Sequence, residues 1–345
     1  LKAAPPAPVA VIWAPATMPR TDGSAAVRAP RWRGPGFDYQ ATALAVGNIR
    51  GNEGLLAAVS DGRRVFIYPY PPADAKALAE FRHAGNAPKI YSLETADLNG
   101  NGRAEVFASL YNDTFARFET VVLELDGDKL AQIAEFPYLA RAVQDEKGKT
   151  FLAAQQILDD KSFPFGTIYP LVYQNGKYAL GRPAVSFIKR RADWLYDFTS
   201  ATIDGKPATL SATNTDLLRV QFAKGNWKTS ETYGQTPNRV RWNGDRMLLF
   251  RPQMPVRYDA QGLAGIYLAK NIAAAYGLAA PFGLYTRGEV HRKDWNGLSL
   301  ATSWTAELGG YVTGMALVAQ PGRPEELAVL LVGTAGKSSL WAFDP

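Results

Sequence analysis

The residues best suited to chemistry in this 345-residue sequence form one short run, Asp97-Leu98-Asn99-Gly100-Asn101-Gly102-Arg103-Ala104-Glu105. Side-chain oxygens at alternate positions of a tight loop can converge on one point, and Ca²⁺ takes six to eight oxygen ligands. The predicted ligands are the side chains of Asp97, Asn99, Asn101 and Glu105 and the backbone carbonyl of Arg103. Gly100 and Gly102 allow the positive φ that such a loop needs. The run therefore predicts a calcium site.

This site is expected to be weak and structural. Two of its side-chain ligands are carboxylates and two are neutral amides, which predicts a Kd of about 10⁻⁴–10⁻³ M. The alternative is an empty Asx-type turn, in which Asp97 and Asn99 accept hydrogen bonds from nearby backbone N–H groups. Similar turns at 48–52, 204–206, 259–261 and 320–322 lack the acidic ligands, so one site is expected.

Composition restricts other chemistry. The chain has no cysteine, which excludes disulfides, thiolate metal sites and cysteine nucleophiles, and its two histidines, His83 and His291, are expected at the surface. No nucleophile elbow, P-loop or dinucleotide fingerprint occurs. We therefore predict no catalytic and no cofactor-binding residues.

The charge pattern favours a protein that binds neither nucleic acid nor a membrane core. The net charge of +6 is moderate for this length, and no apolar run reaches the ~20 residues of a membrane span. Basic clusters occur at 189–191 and at Arg239, Arg241, Arg246, Arg251 and Arg257. We expect solvated strand faces there; the alternative is a patch for an acidic glycan, lipid headgroup or acidic protein.

The elements that position the turn recur along the chain. The unit 96–108 is a strand end, an acidic turn and an apolar strand, and weaker copies lie at 46–59, 143–154, 202–211, 258–268 and 318–329. A third strand follows each copy, and then a fourth strand that carries an aromatic residue: Trp32, Phe81, Phe136, Phe187 or Trp194, Trp227 and Trp304. Four strands at intervals of roughly 50–55 residues are typical of propeller blades.

The sequence therefore predicts an all-β, six-bladed β-propeller over residues 31–345, with four antiparallel strands per blade, after an N-terminal linker at 1–30. The strand around Trp32 is expected to pair with the last strand of the chain and so close the ring. Residues 238–253 are surplus, either as a hairpin insertion or as an irregular seventh blade.

The turn from Asp97 to Glu105 resembles the D-x-[DN]-G-[DN]-G-x-x-[DE] turn of FG-GAP/VCBS repeats, which are found in integrin-α-like propellers and many bacterial surface proteins. The resemblance covers about 37–343, and the copy at 96–108 carries most of it. It implies a secreted, periplasmic or outer-surface protein that serves in adhesion, ligand binding or assembly.

Together these features predict a non-catalytic scaffold outside the cytoplasm whose partner is an envelope or surface protein, or a polysaccharide. A lectin-like propeller is the first alternative. An enzyme with a site in the central channel, with acids near Asp259 or Glu289, is the second. A WD40-like role is disfavoured, because no recurrent G-H and W-D pairs occur. Since the sequence starts at Leu1, we expect that an upstream signal, lipid anchor or domain has been removed.

Overall fold

The computed structural model describes residues 25–345, apart from 52–53, 85–87, 146, 159–163, 187–192, 243, 245, 275–278 and 334. Within this part of the chain, strands predominate and the helical elements are two 3-10 segments, Leu195–Asp197 and Ala280–Phe282. The basic cluster at 189–191 and the candidate aromatic Phe187 lie outside the described residues.

Six four-stranded antiparallel units, the blades, follow one another around a ring, as predicted. Blade 1 contains β3 (Ala43–Gly47), β4 (Leu56–Ser60), β5 (Arg64–Pro69) and β6 (Ala79–Arg82). Blade 2 contains β7 (Pro88–Ala96), β8 (Glu105–Asn112), β9 (Arg117–Asp126) and β10 (Lys129–Phe136). Blade 3 contains β11 (Leu139–Gln144), β12 (Thr150–Ile157), β13 (Phe165–Gln174) and β14 (Lys177–Leu180).

The other three blades have the same strand order. Blade 4 contains β15 (Phe198–Ile203), β16 (Lys206–Ala212), β17 (Leu217–Phe222) and β18 (Asn226–Thr232). Blade 5 contains β21 (Val256–Asp259), β22 (Gly262–Ala273), β23 (Tyr285–Trp295) and β24 (Leu300–Leu308). Blade 6 contains β25 (Gly310–Gln320), β26 (Arg323–Gly333), β27 (Ser338–Phe343) and β2 (Trp32–Phe37).

The two ends of the chain close the ring in blade 6. Strand β2 pairs antiparallel with β27, with Trp32 opposite Ala342, which confirms the predicted closure. Within the segment predicted as a linker, β1 (Ala26–Val27) adds a short parallel strand to the edge of blade 5, where Ala26 lies opposite Trp304. The start of the chain thus covers the outer edge of blade 5 and supplies the outermost strand of blade 6.

Strand β4 shows why these apolar runs form blades. Leu56 and Ala58 belong to an apolar cluster shared with blade 2, and Ala57 and Val59 belong to one shared with blade 6. Because successive side chains point to opposite faces of a strand, each face of blade 1 is buried by a neighbouring blade. The core of the protein therefore lies in the seams between blades.

Residues 238–253, which we call the insert, are not a seventh blade. They form a separate two-stranded hairpin of β19 (Arg239–Trp242) and β20 (Arg246–Leu249) between blades 4 and 5. Four of their side chains, Val240, Trp242, Leu248 and Phe250, are buried in an apolar cluster with residues of blades 2, 3 and 4. Of the two predicted alternatives, the hairpin insertion is therefore correct.

The aromatic residues predicted in fourth strands lie there in five of the six blades, namely Trp32, Phe81, Phe136, Trp227 and Trp304. Blade 3 differs from the prediction. Trp194 is buried ahead of the 3-10 segment that leads into blade 4, and the aromatic residue of the fourth strand β14 is Tyr178. The error arose because the β13–β14 hairpin is short, so blade 3 ends earlier than the average spacing predicted.

Candidate functional site

The insert lies across the end of the ring at which the innermost strands of the blades begin. The side chain of Asn238 donates a hydrogen bond to the carbonyl of Thr42, directly before β3, at 2.5 Å. The ring of Phe250 packs against Tyr91 of β7 and against Tyr196, with centroids 4.7 and 4.6 Å apart. Contacts with several blades thus make the insert a plug for this mouth of the central channel.

Arg251 of the insert holds the plug to blade 4. Its side chain is buried, and its guanidinium contacts Asp197 through Nε at 2.8 Å and Asp216 through Nη1 at 2.7 Å. It also donates to the carbonyl of Gly234 at 2.9 Å. Burial raises the pKa of Asp197, and the charge of Arg251 opposes that shift. Two carboxylates and one carbonyl of the protein therefore surround this guanidinium.

Arg141 of β11 holds the plug from the side of blade 3. Its guanidinium is buried and donates to the carbonyls of Arg251 and Pro252, at 2.9 and 3.1 Å. It also lies 5.0 Å from the ring centre of Tyr196, a cation–π contact. Arg141 of blade 3 thus binds the backbone of the same short segment of the insert that carries Arg251.

Behind the insert, the other end of the channel holds a cavity of about 190 Å³, which we call the channel cavity. The innermost strands of five blades contribute to its walls, and Gln253, the last residue of the insert, closes it together with Met254. Its walls are mostly apolar, and Glu94 of β7 is the one ionisable side chain among its lining residues in the described chain.

Glu94 is buried, with 5% of its surface exposed. Its Oε1 accepts hydrogen bonds from Gln253 at 2.7 Å and from Ser92 at 3.3 Å. Burial raises the pKa of Glu94 to about 7, while the positive charge of Arg141 acts in the opposite direction. This carboxyl group thus changes its charge near neutral pH.

A larger groove of about 690 Å³, which we call the blade 4 groove, lies between blade 4 and the insert. One wall is the polar face of blade 4, where Ser211 lies opposite Arg219 and Thr209 opposite Gln221 in register. The other wall carries apolar and aromatic side chains, including Met247 of the insert. Hydroxyl, amide and guanidinium groups, together with the carboxylates of Asp193 and Asp197, therefore line one concave surface.

A third concavity, of about 670 Å³, lies at the seam of blades 6 and 1. Tyr39 stacks against Phe37 and Phe66, with ring centroids 5.6 and 4.8 Å apart. Its hydroxyl is 3.0 Å from that of Tyr68, and burial raises the pKa of Tyr39. The exposed carboxylate of Asp38 lies at the rim.

The predicted calcium turn has the hydrogen bonds of an Asx-type turn. Asp97 accepts from the N–H groups of Gly100, Asn101 and Gly102, at 2.8–3.1 Å. The side-chain oxygen of Asn99 accepts a hydrogen bond from the backbone N–H of Asn101, and that of Asn101 accepts one from the backbone N–H of Arg103. These hydrogen bonds are those of the Asx-type turn that the sequence offered as the alternative to a calcium site.

Glu105, the second carboxylate of the predicted site, is fully buried. It accepts from the N–H groups of Leu98 and Asn99 and from the hydroxyl of Tyr178 of blade 3, at 2.6 Å for the last. A calcium ion would have to share this carboxylate with these three donors. Within the described residues, no group of three or more His, Cys, Asp or Glu side chains is arranged to hold a metal ion. Calcium binding here stays a prediction.

His291, predicted at the surface, is buried in the seam between blades 4 and 5. Its Nε2 lies 2.7 Å from Glu289, and its Nδ1 lies 3.1 Å from the hydroxyl of Tyr233. Burial lowers the pKa of His291. The alternation of β23 places this side chain inward, and the partner from blade 4 could not be foreseen from sequence. Asp259, proposed for an enzymatic channel site, is instead the exposed last residue of β21.

Sequence reasoning missed the residues that matter most in the channel. Arg251 was predicted on a solvated face, but it is buried and ion-paired. Glu94 and Arg141 were not singled out. The available signal was weak: Arg141 interrupts the apolar start of β11, where a charge needs a partner, whereas Glu94 lies in β7 among polar as well as apolar residues.

Similarity searches define no family for this chain. A scan against protein-family models gave no match, and a search of curated proteins also gave none. Among solved structures, a BBS1N chain crystallised with ARL6DN is 8% identical, with a TM-score of 0.42 over 93% of this chain and 98% of that one.

Two further structures are similar at the same level. A putative oxidoreductase (glucose dehydrogenase) from Thermus thermophilus is 14% identical, with a TM-score of 0.47 over 90% of this chain and 98% of its own. The Dos1 propeller is 13% identical, with a TM-score of 0.38 over 88% of this chain and 78% of its own. Such identities and TM-scores support no transfer of function to this chain.

Proposed function

We propose that this propeller is a non-catalytic binding or assembly scaffold that works outside the cytoplasm and recognises a protein partner through the blade 4 groove. The observation that carries the proposal is the insert. Arg141 and Arg251, the buried cations at the plugged mouth, bind backbone carbonyls and carboxylates of the protein itself. Their role is structural, so recognition falls to the concave surface that the insert creates beside blade 4.

The chemistry of the blade 4 groove suits an extended polar segment. Its volume of about 690 Å³ lies within the range of ~300–1,000 Å³ typical of ligand sites. Ser211, Arg219 and Gln221 offer donors and acceptors along two paired strands, and Met247 adds an adaptable apolar contact. A peptide with carboxylate or amide side chains would match this pattern.

The setting outside the cytoplasm rests on the resemblance of the turn from Asp97 to Glu105 to FG-GAP/VCBS repeats. None of the helical segments in the described chain has the length and apolarity needed to cross a membrane. The partner proposed is accordingly a protein of the cell envelope or surface.

A polysaccharide partner is the second candidate, and the seam of blades 6 and 1 favours it. That concavity combines the half-buried ring of Tyr39 with the polar side chains of Asp38, Arg64 and Glu80. Since Phe37 and Phe66 stack on the ring of Tyr39, its exposed part offers an edge and a hydroxyl. These groups beside a carboxylate and a guanidinium suit a sugar ring with several hydroxyls. A Tyr39→Ala variant that loses polysaccharide binding, while Arg219→Ala keeps it, would select this candidate.

The leading proposal is tested by capture from native cell envelope with the full chain as bait, with and without EGTA. We expect one discrete protein partner with the wild type and with Arg323→Ala, a matched surface control on blade 6. Arg219→Ala should lose that partner, because the guanidinium lies in the blade 4 groove. Equal capture by both variants would overturn the assignment of the groove, and loss only with EGTA would link binding to the Asp97 turn.

A further inference from the structure

The channel cavity has a feature that the scaffold does not need. Its lining includes Leu44, Val143, Met254 and Met315, which form apolar walls, and a single ionisable group among the described residues, Glu94. A buried carboxylate in an apolar cavity is costly unless it is paired and fully hydrogen-bonded. Among the lining residues that the structure describes, Glu94 carries the one formal charge, and the buried Arg141 that acts on it is not part of the lining. The described cavity surface is therefore negative and complements a cation.

Two acceptors in the cavity have unused capacity. A carboxylate has about four lone-pair sites, and the side-chain donors to Glu94 are Ser92 and Gln253, both on Oε1. The backbone N–H of Ala142 also hydrogen-bonds the carboxylate, which still leaves it short of a full set. On the neighbouring blade, Oε1 of Gln144 is buried and has no hydrogen-bond partner in the described structure. Because native proteins leave few buried acceptors unpaired, each points to a missing donor.

We propose that the channel cavity binds a small primary ammonium ion with a short alkyl chain. The ammonium group would donate hydrogen bonds to Glu94 and Gln144, and the alkyl chain would lie along Met254 and Met315. A volume of about 190 Å³ equals roughly six water molecules at ~30 Å³ each, which suits a ligand of similar heavy-atom number. This site is separate from the blade 4 groove and goes beyond the proposed function.

The charged and titratable groups around Glu94 set the pH dependence of binding. Arg141 of β11 and Tyr196 of the 3-10 segment face it from the side of the insert, and neither changes charge near neutral pH. Since burial raises the pKa of Glu94 to about 7, the ionised form that attracts an ammonium ion dominates above that pH. Affinity should weaken about tenfold per pH unit below it.

The methionines make this proposal testable in the intact chain. Of the four methionines, Met254 and Met315 line the channel cavity, and Met247 lines the blade 4 groove. We would titrate the ¹³C-methyl-methionine protein with n-butylammonium and follow the methyl NMR signals. Saturable shifts of Met254 and Met315, with Met247 unmoved, are expected.

Three controls keep the outcome decisive. Glu94→Gln should weaken binding at least about tenfold at pH 8, and Glu135→Gln, a surface control on β10, should leave it unchanged. Gln144→Leu tests the second acceptor in case Glu94→Gln alters folding. The neutral isostere 1-butanol should bind about tenfold more weakly. Equal binding of the two ligands, or no shift of Met254 and Met315 at millimolar n-butylammonium, would overturn the proposal.

Discussion

The two ends of the central channel solve the problem of buried charge in opposite ways. At the plugged end, Arg251 meets two carboxylates and a carbonyl, and Arg141 meets two carbonyls. At the open end, Glu94 keeps spare acceptor capacity and Gln144 has an unpaired oxygen within the described structure. At the plugged end the groups that hold both guanidiniums belong to the protein itself, although Nε of Arg141 has no partner in the described structure. At the open end the two acceptors instead line a cavity that has room for a ligand.

The largest expected effect comes from breaking the plugged end. Arg251→Met leaves Asp197 and Asp216 without their cation, and removing one partner of a buried pair costs about 3–5 kcal/mol. We expect the free energy of unfolding to fall by that amount in a chemical denaturation experiment. Arg323→Met, at the exposed start of β26, serves as the control. A variant as stable as this control would show that the plug is dispensable.

The next effect sharpens the contrast at the open end, where a substitution should stabilise the protein. The folded-state pKa of Glu94, about 7, lies above its ordinary value, so stability is lost as pH rises from about 4.5 through 7. Glu94→Gln removes this loss. At pH 8 it should gain up to about 3 kcal/mol, and near pH 4 it should gain nothing. Melting curves at both pH values check this, and a gain that is equal at both would contradict it.

The same two regions show which parts of the structure can be predicted from the sequence. The acidic turns, the alternation of apolar residues in strands such as β4 and the aromatic fourth strands are local patterns, and they predicted the blades and the ring closure. The plug depends on contacts such as that from Arg141 to Arg251, which are 110 positions apart. No local pattern shows that an arginine in a basic stretch will be buried by such a partner.

The same limit applies to the predicted calcium turn and to His291. The Asp97 turn was recognised from its spacing, but the hydroxyl of Tyr178 that contacts Glu105 comes from another blade. His291 was expected at the surface because its buried partner, Tyr233, is 58 positions away. The sequence thus predicted which residues form turns. Which of their polar atoms already have hydrogen-bond partners depends on packing between blades.

A smaller effect is expected at the turn from Asp97 to Glu105, which belongs neither to the plug nor to the channel cavity. If calcium binds with a Kd of about 10⁻⁴–10⁻³ M, millimolar calcium should raise the unfolding free energy by about 1 kcal/mol relative to EGTA. Asp97→Asn should abolish this difference while keeping one acceptor for the turn. Differential scanning calorimetry measures both proteins. Identical curves with calcium and EGTA for the wild type would leave the empty turn as the correct description.

The smallest effect tests the edge of the plug. Asn238→Ala removes the hydrogen bond to the carbonyl of Thr42 in blade 1 and should cost about 1 kcal/mol, the usual net value of such a bond. Chemical denaturation beside an Asn214→Ala control, at an exposed position, measures the difference. If the unfolding free energy falls no more than in the control, the arginine contacts anchor the insert without help from Asn238.

Native-state hydrogen exchange tests most directly whether the insert is a locked part of the propeller. We predict that the amides of Val240, Leu248 and Phe250 exchange only through global unfolding, with the same free energy as the central strand β8 of blade 2. Exchange of these three amides by a local opening well below the global value would contradict the account, because a hairpin that lifts off the channel cannot be the plug that these contacts describe.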